Sequence, residues 1–545
     1  MASDSPLLVV CSAAAALLGA SPDLGDASGE RRAVIFYTAE THGTLEPCGC
    51  TSDPLGDFAR VTALVRSAAS RSEAALLVDA GNLTYPAGEI SAKAKAAADL
   101  RARFVAREIA KLPFGGSGLG ESDLARGAGG VMPGRLAANL ASAPFLEASR
   151  IAKVGGIAVG VLGVADPATG RKLGLAAEEP AEAATREVAR LRAAGAEVVI
   201  LLAPLARPAA RNLARASGAD FVVVGQGVQG GMARAERVGD AYLLAPAEEL
   251  QRVGRLDIIL RGPGPRTTGE PLVDAGSAEQ NRERADELGR ELARLDADLV
   301  RWQKDPGSDP AFVAAKLRAL DELRHERERL SANPWRPPPS GAYFTNALVP
   351  MRRSLPRDPA LSASLRRLDR EIGAANLAAA EPPPPPEPGR AFYVGGEKCV
   401  SCHRSRARFW AATAHAHAWK TLIKVGKQAD DGCVRCHVTG YGEVGGSSLG
   451  HTRGLENVQC EACHQPRSTH VKKQGQELPR AGSTKTPEAI CLRCHNQQHS
   501  DTFGYEPYLR GVLGPGHGED LLDKLGKGPG ARELRRAAAA RARKP

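Results

Sequence analysis

The sequence is short of methionine, of aromatic residues and of long apolar runs. Only 4 of its 545 residues are Met, and 4% are aromatic. No apolar run reaches the roughly 18 residues that a membrane-spanning helix needs, so an integral membrane helix is not expected. Lys and Arg number 72 against 62 Asp and Glu, but no basic stretch is interleaved with stacking side chains. Nucleic-acid binding is therefore not indicated, and the length predicts two or three domains.

Cysteine and histidine are scarce in the first 390 residues, which hold three of eleven Cys and two of twelve His. Beyond them, eight cysteines form four copies of C-x-x-C-H, the covalent attachment motif of c-type haem. At this composition about 0.005 such matches are expected by chance. The motif residues are Cys399, Cys402 and His403; Cys433, Cys436 and His437; Cys460, Cys463 and His464; and Cys491, Cys494 and His495.

The spacing of this motif has a physical reason. Two thiols three residues apart on a helical turn can both bond one porphyrin edge, and the adjacent His then reaches the iron. Zinc ribbons and thioredoxin-like sites also use C-x-x-C pairs, but neither explains a His directly after every pair. The sequence therefore predicts four covalently bound c-type haems, with the four motif histidines as proximal iron ligands.

The positions of the Met residues limit which residue types can be the second axial ligand of each haem iron. All four Met precede residue 391, so a Met ligand from within the haem region is excluded. Distal ligands must then be His or nothing. The histidines that remain in this region are His415, His417, His451, His470, His499 and His517.

Residues 395–517 resemble the tetrahaem cytochrome family that includes the nitrifiers' electron acceptor of hydroxylamine oxidoreductase. The resemblance is carried by residues 393–399, 415–419 and 458–464, although 465–470 lacks the family's glycines. It implies His415, His470 and His517 as distal ligands. His451 is a fourth candidate without a clear counterpart, and His417 or His499 is then structural. The family also permits one five-coordinate haem, which would allow small-molecule chemistry.

The front part of the chain alternates strand-like apolar runs with Ala-rich helical stretches, which indicates an α/β domain. Over residues 31–262 it resembles the periplasmic 5'-nucleotidase branch of the metallophosphatases, with most metal ligands replaced. A dinuclear phosphoesterase needs several imidazoles, so hydrolysis is not favoured. A single-ion set of Glu40, His42, Asp79 and Asn82 stays open. The positions that correspond to the family motifs are Glu40, His42, Asp79, Asn82, Asp123, Pro204 and Val228.

The remaining segments complete the predicted organisation. Residues 1–30 are interpreted as an export segment without the usual positive charge, and 270–332 as a helical hairpin that packs on itself or on a second copy. Residues 333–391 are interpreted as a Pro-rich linker, 392–520 as the haem domain and 521–545 as a solvated basic tail. Cys48 and Cys50 are a disulfide, a thiolate site or two small buried residues.

The predicted fold is thus multidomain: an α/β metallophosphatase-like sandwich, a helical hairpin, and a mostly helical or irregular multihaem domain. Because thioethers to haem form outside the bacterial cytoplasm, the protein is expected to be exported to the periplasm. The predicted function is electron transfer between periplasmic donor and acceptor proteins, with the front domain used for docking or sensing. The alternatives are a reductase of a nitrogen or sulfur species at a five-coordinate haem, and a metal-dependent phosphoesterase.

Overall fold

A computed structural model describes most of the chain. The described residues are 30–47, 49–72, 74–227, 229–262, 272–304, 309–332, 341–475, 487–496 and 499–542. The predicted export segment, apart from Glu30, and Cys48 of the Cys48/Cys50 pair lie outside them.

The front domain contains two β-sheets, of eight and six strands, packed face to face. The larger sheet has the order β13-β14-β12-β1-β2-β3-β4-β5, and the smaller has β10-β11-β9-β8-β7-β6. The strands are β1 (Arg31–Thr38), β2 (Ala75–Asp79), β3 (Phe114–Gly118), β4 (Arg135–Leu136), β5 (Leu146–Glu147), β6 (Ser149–Val154), β7 (Ile157–Gly163), β8 (Val198–Ala206), β9 (Phe221–Gln226), β10 (Glu236–Val238), β11 (Ala241–Leu244), β12 (Arg252–Leu260), β13 (Val273–Asp274) and β14 (Ala342–Pro350).

Helices cover the outer faces of both sheets, so the predicted α/β sandwich is confirmed. The outer face of the larger sheet carries α1, α2 and α8, and that of the smaller carries α4 and α5. Strand β8 is buried along eight of its nine residues, as expected for a parallel strand covered on both faces. The helices are α1 (Phe58–Ser72), α2 (Lys95–Ile109), α3 (Pro167–Leu173), α4 (Pro180–Ala193), α5 (Arg207–Ala216), α6 (Gly276–Lys304), α7 (Pro310–Ser331) and α8 (Pro359–Ala378).

The interpretation of residues 333–391 as a linker needs correction, because this segment supplies two elements of the front domain. Strand β14 pairs antiparallel with β12 along all nine of its residues. Helix α8 follows, and the Asp358 carboxylate caps it by accepting the Leu361 N–H. The helix buries a stripe of Leu361, Leu365, Leu368 and Ile372 in the core. The segment was interpreted as a linker because prolines are frequent around these two elements.

The polyproline stretch between α8 and the haem domain is also in contact with its surroundings. The Pro384 carbonyl accepts the Gly445 N–H at 2.7 Å, and the Glu381 carbonyl accepts the Ser448 hydroxyl at 2.5 Å. Both contacts are to the loop that follows the second haem motif. This stretch is therefore packed against the haem domain.

Helices α6 and α7 form the helical hairpin, and their apolar seam closes on itself. Leu292 and Leu299 of α6 pack with Leu320 of α7, and the Trp302 and Phe312 rings meet edge to face with centroids 5.0 Å apart. The sequence left open whether the hairpin packs on itself or on a second copy. The structure shows that it packs on itself.

The haem region is built from short helices and turns, with one small apolar cluster of Leu422, Val434, Val438 and Leu449. The predicted mostly helical or irregular character is confirmed. None of the described helices has the length and apolar composition needed to cross a bilayer. The helices are α9 (Glu397–Val400), α10 (Arg404–Ala411), α11 (Ala418–Val425), α12 (Asp431–Val434), α13 (Cys460–His464), α14 (Ser468–Lys472), α15 (Glu488–Leu492), α16 (Tyr505–Leu509), α17 (Glu519–Leu525) and α18 (Ala531–Ala542).

The predicted basic tail is helical and contacts the front domain. It contains α18, and Arg535 of this helix donates a hydrogen bond to the Cys50 carbonyl at 2.7 Å. The tail is thus not free along its whole length.

Candidate haem-binding centre

Each C-x-x-C-H motif is built on one of the short helices. The first cysteine of every motif lies on α9, α12, α13 or α15, and the second lies about one turn later. One helical turn brings residues three apart to the same side of the backbone. The two thiols of a motif are thereby presented together, with the motif His next to them.

Three of the four motif histidines face a second histidine ring. The His403 and His470 rings have centroids 6.2 Å apart and planes 15° from parallel. The His495 and His415 rings are 6.1 Å apart, and His464 and His517 are also separated by 6.1 Å. The partners are the three distal residues that the family resemblance implied.

This separation fits one metal ion between two imidazoles. With metal–nitrogen bonds of about 2 Å on both sides, the ring centres lie roughly 6 Å apart. Directly packed aromatic rings have centroids about 4.5 to 7 Å apart, so the spacing alone agrees with packing as well as with a shared metal. A pair of thiols adjoins each ring pair, so the residues present fit a covalently attached haem with two axial His ligands.

Hydrogen bonds from the second ring nitrogen orient two of the histidines. His437 Nδ1 lies 2.7 Å from the Ala418 carbonyl, and His517 Nδ1 lies 2.7 Å from the Val512 carbonyl. A carbonyl oxygen accepts only from N–H, so Nδ1 carries the proton and Nε2 has the free lone pair that binds a metal. The Phe503 ring stacks on His495 with centroids 5.6 Å apart.

Partial burial favours the neutral form of three of the histidines. Burial lowers the pKa of both His415 and His464. For His495, burial together with the nearby His415 lowers the pKa to about 4. Neutral imidazole is the form that ligates iron, so these environments favour ligation.

The other candidate histidines are placed differently. Within the described residues, His437 takes part in none of the His–His ring contacts. His451 is exposed in a turn, where its backbone pairs with Ser448, and His417 is also exposed. His499 pairs through its backbone N–H with Asn496. The structure therefore does not bring the predicted distal ligand His451 opposite a motif histidine.

Thiols of different motifs approach one another. Cys399 lies close to Cys460, and Cys494 lies close to Cys436. Burial raises the pKa of Cys463 to about 11, and the nearby Cys491 adds to this shift. Thiols of the first and third, the third and fourth, and the fourth and second motifs thus lie near one another.

Glu461 is a positioning residue that the sequence analysis did not single out. It occupies a variable position of the third motif and is 1% exposed. Its carboxylate accepts hydrogen bonds from the backbone N–H groups of Val394, Gly395 and Arg467. It thereby ties the start of the haem domain and the segment before His470 to the third motif. A variable motif position gives no sequence signal for this role.

The single-ion candidates of the front domain are engaged by protein donors. Asp79 is fully buried, and its carboxylate accepts from Thr38, Ser117 and the Gly81 N–H. Burial raises the pKa of Asp79 to about 6, although the three hydrogen bonds act to lower it. Asn82 Oδ1 accepts the Ser122 N–H at 2.9 Å.

Glu40 and His42 complete the candidate set without forming a metal cluster. Glu40 accepts the Gly227 N–H at 3.3 Å, and burial raises its pKa. His42 Nδ1 lies 3.4 Å from the Tyr85 carbonyl. No group of three or more His, Cys, Asp or Glu residues is arranged to hold a metal within the described part of the chain.

Asp123 and Arg135 form a buried ion pair beside Asn82. Asp123 Oδ1 accepts from Arg135 Nη2 at 2.8 Å, and both residues are at most 1% exposed. Asp123 also accepts from the N–H groups of Asn82, Leu83, Thr84 and Gly120. Arg135 supplies a fixed positive charge in the core. It lay outside every motif considered in the sequence.

The front domain contacts the haem domain beside the second and fourth motifs. Lys427 Nζ lies 2.6 Å from Asp369 and 3.4 Å from Glu46. Asn376 donates to the Ala429 carbonyl at 2.9 Å. The Ser52 N–H donates to the Asp501 carboxylate at 2.9 Å.

The chain has structural neighbours among 5'-nucleotidases and phosphoesterases, at low identity and low TM-score. A 5'-nucleotidase precursor from Thermus thermophilus shares 16% identity, with a TM-score of 0.44 over 73% of this chain and 68% of its own. The calcineurin-like phosphoesterase YfkN from Bacillus subtilis shares 17% identity, with a TM-score of 0.35 over 44% of this chain and 89% of its own.

The C-terminal region matches a cytochrome family. Cytochrome c-554 from Nitrosomonas europaea is 37% identical over 19% of this chain, which spans 57% of the relative's length. Residues 398–465 match the family described as cytochrome c554 and c-prime. The predicted cytochrome resemblance is therefore confirmed for this region, which is similar to the cytochrome c554 family.

Proposed function

We propose that this protein is an exported tetrahaem c-type cytochrome that transfers electrons between redox proteins outside the cytoplasm. The observation that carries the proposal is the set of three His–His pairs, each joining a motif histidine to a distal histidine at 6.1 to 6.2 Å. The spacing agrees with a shared metal, and the two thiols beside each pair favour a haem iron over packing alone.

The proposed attachment sites follow from the motifs and ring pairs. A c-type haem supplies reversible one-electron chemistry at its iron. The chain would attach each one through two thiols and would hold the imidazole rings that bind its iron. The proposed ligands are His403 with His470, His464 with His517, His495 with His415, and His437 alone.

The proximity of thiols from different motifs supports a continuous route through the domain. Cys399 lies near Cys460, Cys463 lies near Cys491, and Cys494 lies near Cys436. Motifs whose thiols lie near one another would hold neighbouring haem edges close together. We propose that electrons pass in the order first, third, fourth and second motif, or in reverse.

The front domain has a non-catalytic role in this proposal, for docking or sensing. Its former metal positions are taken up by hydrogen bonds and by the Asp123–Arg135 pair. The outcome that would contradict this role is metal-dependent phosphoester hydrolysis that disappears in His42→Ala and Asp79→Asn variants.

The deciding experiment is an intact mass of the mature holoprotein combined with a haemochrome spectrum. Expression in a host that matures c-type cytochromes is expected to give four covalently attached haems and reversible reduction. Fewer than four haems, or colourless material, overturns the proposal. The mass also reports cleavage of the export segment and the oxidation state of Cys48 and Cys50.

A reductase of a small nitrogen or sulfur species is the second candidate, and the placement of His437 favours it. Among the described residues this motif histidine lacks a facing histidine ring, whereas its Nδ1–H is held by Ala418. An iron bound by His437 alone has an open position. Carbon monoxide or nitric oxide is then expected to shift the Soret band of one haem in four, and an unchanged band excludes this activity.

A further inference from the structure

The first haem motif lies on an exposed part of the haem domain. Cys402 is the one exposed cysteine among those the structure describes. Its neighbour Val400 is an apolar residue with 48% of its surface exposed.

Positive charge surrounds this exposed motif. Residues 397–408 carry four exposed basic side chains and one acid, Glu397. Two more exposed lysines follow His470, whose ring centroid lies 6.2 Å from that of His403. We call this the first-motif surface, and it consists of Lys398, Val400, Arg404, Arg406, Arg408, Lys472 and Lys473.

Other parts of the haem domain are engaged within the chain. The front domain contacts Lys427 and Ala429 beside the second motif and Asp501 beside the fourth. The first motif is also one end of the proposed electron route. An electron that leaves or enters by this end meets solvent and a basic rim.

We propose that the first-motif surface docks an acidic redox protein, one that carries carboxylates around its own cofactor. This inference rests on the proposed electron-transfer function. It adds the chemical character of the partner and the surface at which electrons enter or leave. Complementary charge steers two proteins into a productive encounter, and Val400 supplies an apolar contact at the centre. One electron crosses in each encounter, so one protein is oxidised and the other reduced, and no atom is transferred.

The test uses the full-length holoprotein and two protein probes in stopped flow. One probe is a blue copper protein with an acidic patch, and the other is a basic cytochrome c. In Lys398→Glu/Arg404→Glu, electron exchange with the acidic probe is expected to slow roughly tenfold at low ionic strength. In about 0.5 M salt the difference is expected to vanish, because the charges are screened.

A matched control carries the same charge change elsewhere. Arg318→Glu/Arg329→Glu alters two exposed arginines of α7 and is expected to leave the rate unchanged. The neutral variant Lys398→Gln/Arg404→Gln is expected to give an intermediate loss. Equal rates in the wild-type protein and the charge-reversed variant overturn the docking proposal, as does faster exchange with the basic probe.

The haem content separates the two hypotheses. A wild-type protein without four reversibly reducible haems contradicts the proposed function itself. A variant with four haems, the wild-type spectrum and unchanged rates contradicts the docking surface alone.

Discussion

His415 is a single side chain on which the fourth haem site depends in the proposed scheme. His415→Ala is expected to leave His495 without its partner ring at 6.1 Å and to open one more iron. The measurement is carbon monoxide binding followed in the Soret band, which should rise by one haem equivalent over the wild-type protein. The control is His417→Ala, two residues away and exposed. Equal uptake by both variants would remove His415 from the ligand set.

The carboxyl group of Asp79 makes the stability of the front domain depend on pH. Its folded-state pKa is raised to about 6 by burial, from 3.8. The folded state therefore holds the proton more tightly than the unfolded state, and stability is lost as pH rises from about 4 through 6. Asp79→Asn is expected to abolish this slope and to raise the stability at pH 7.5 by about 1 to 3 kcal/mol.

The readout for Asp79→Asn is hydrogen exchange of β2 and β3, which reports the front domain separately from the haems. Ser117→Ala is a comparison variant, since it removes one hydrogen bond to the carboxylate and leaves the ionisable group. A pH slope that persists in Asp79→Asn would assign the effect to another group.

The sequence is most informative where covalent chemistry would fix the spacing of residues. The motif cysteines and histidines are recognisable because attachment to one haem requires a five-residue pattern. The distal histidines His415, His470 and His517 came from the family resemblance, and the structure sets each opposite a motif histidine. The Asp123–Arg135 pair was not predictable, because its members are 12 residues apart and meet only when the sheet forms. Glu461 was missed because its partners are backbone groups.

Helix α8 is the element whose importance the proline content concealed. Its buried stripe is fixed by packing with α1 and α2, and such long-range packing is not visible in local composition. Leu365 is 2% exposed, so Leu365→Ala is expected to cost about 2 to 5 kcal/mol of front-domain stability by leaving a cavity.

Leu377→Ala provides the control in the same helix, because Leu377 is 48% exposed and should cost less than about 1 kcal/mol. Denaturant unfolding of both variants measures the difference. Equal stability losses would mean that α8 is not part of the front core.

At the scale of the whole molecule, Lys427 joins the two domains through Asp369 and Glu46. Lys427→Glu places three carboxylates together and is expected to speed proteolysis within residues 379–391 roughly tenfold, which corresponds to about 1.4 kcal/mol. Haem content should stay at the wild-type value. Lys424→Glu, exposed on α11, is the control. Unchanged cleavage in Lys427→Glu would show that the ion pairs do not hold the interface.

The polyproline stretch described above has a consequence for how the protein meets its partners. Because Glu381 and Pro384 are fastened to the loop after the second motif, the stretch does not serve as a leash of variable reach. The cytochrome-like region is then held in place against the rest of the chain, and in the proposed scheme electrons reach it through partner proteins that diffuse to it.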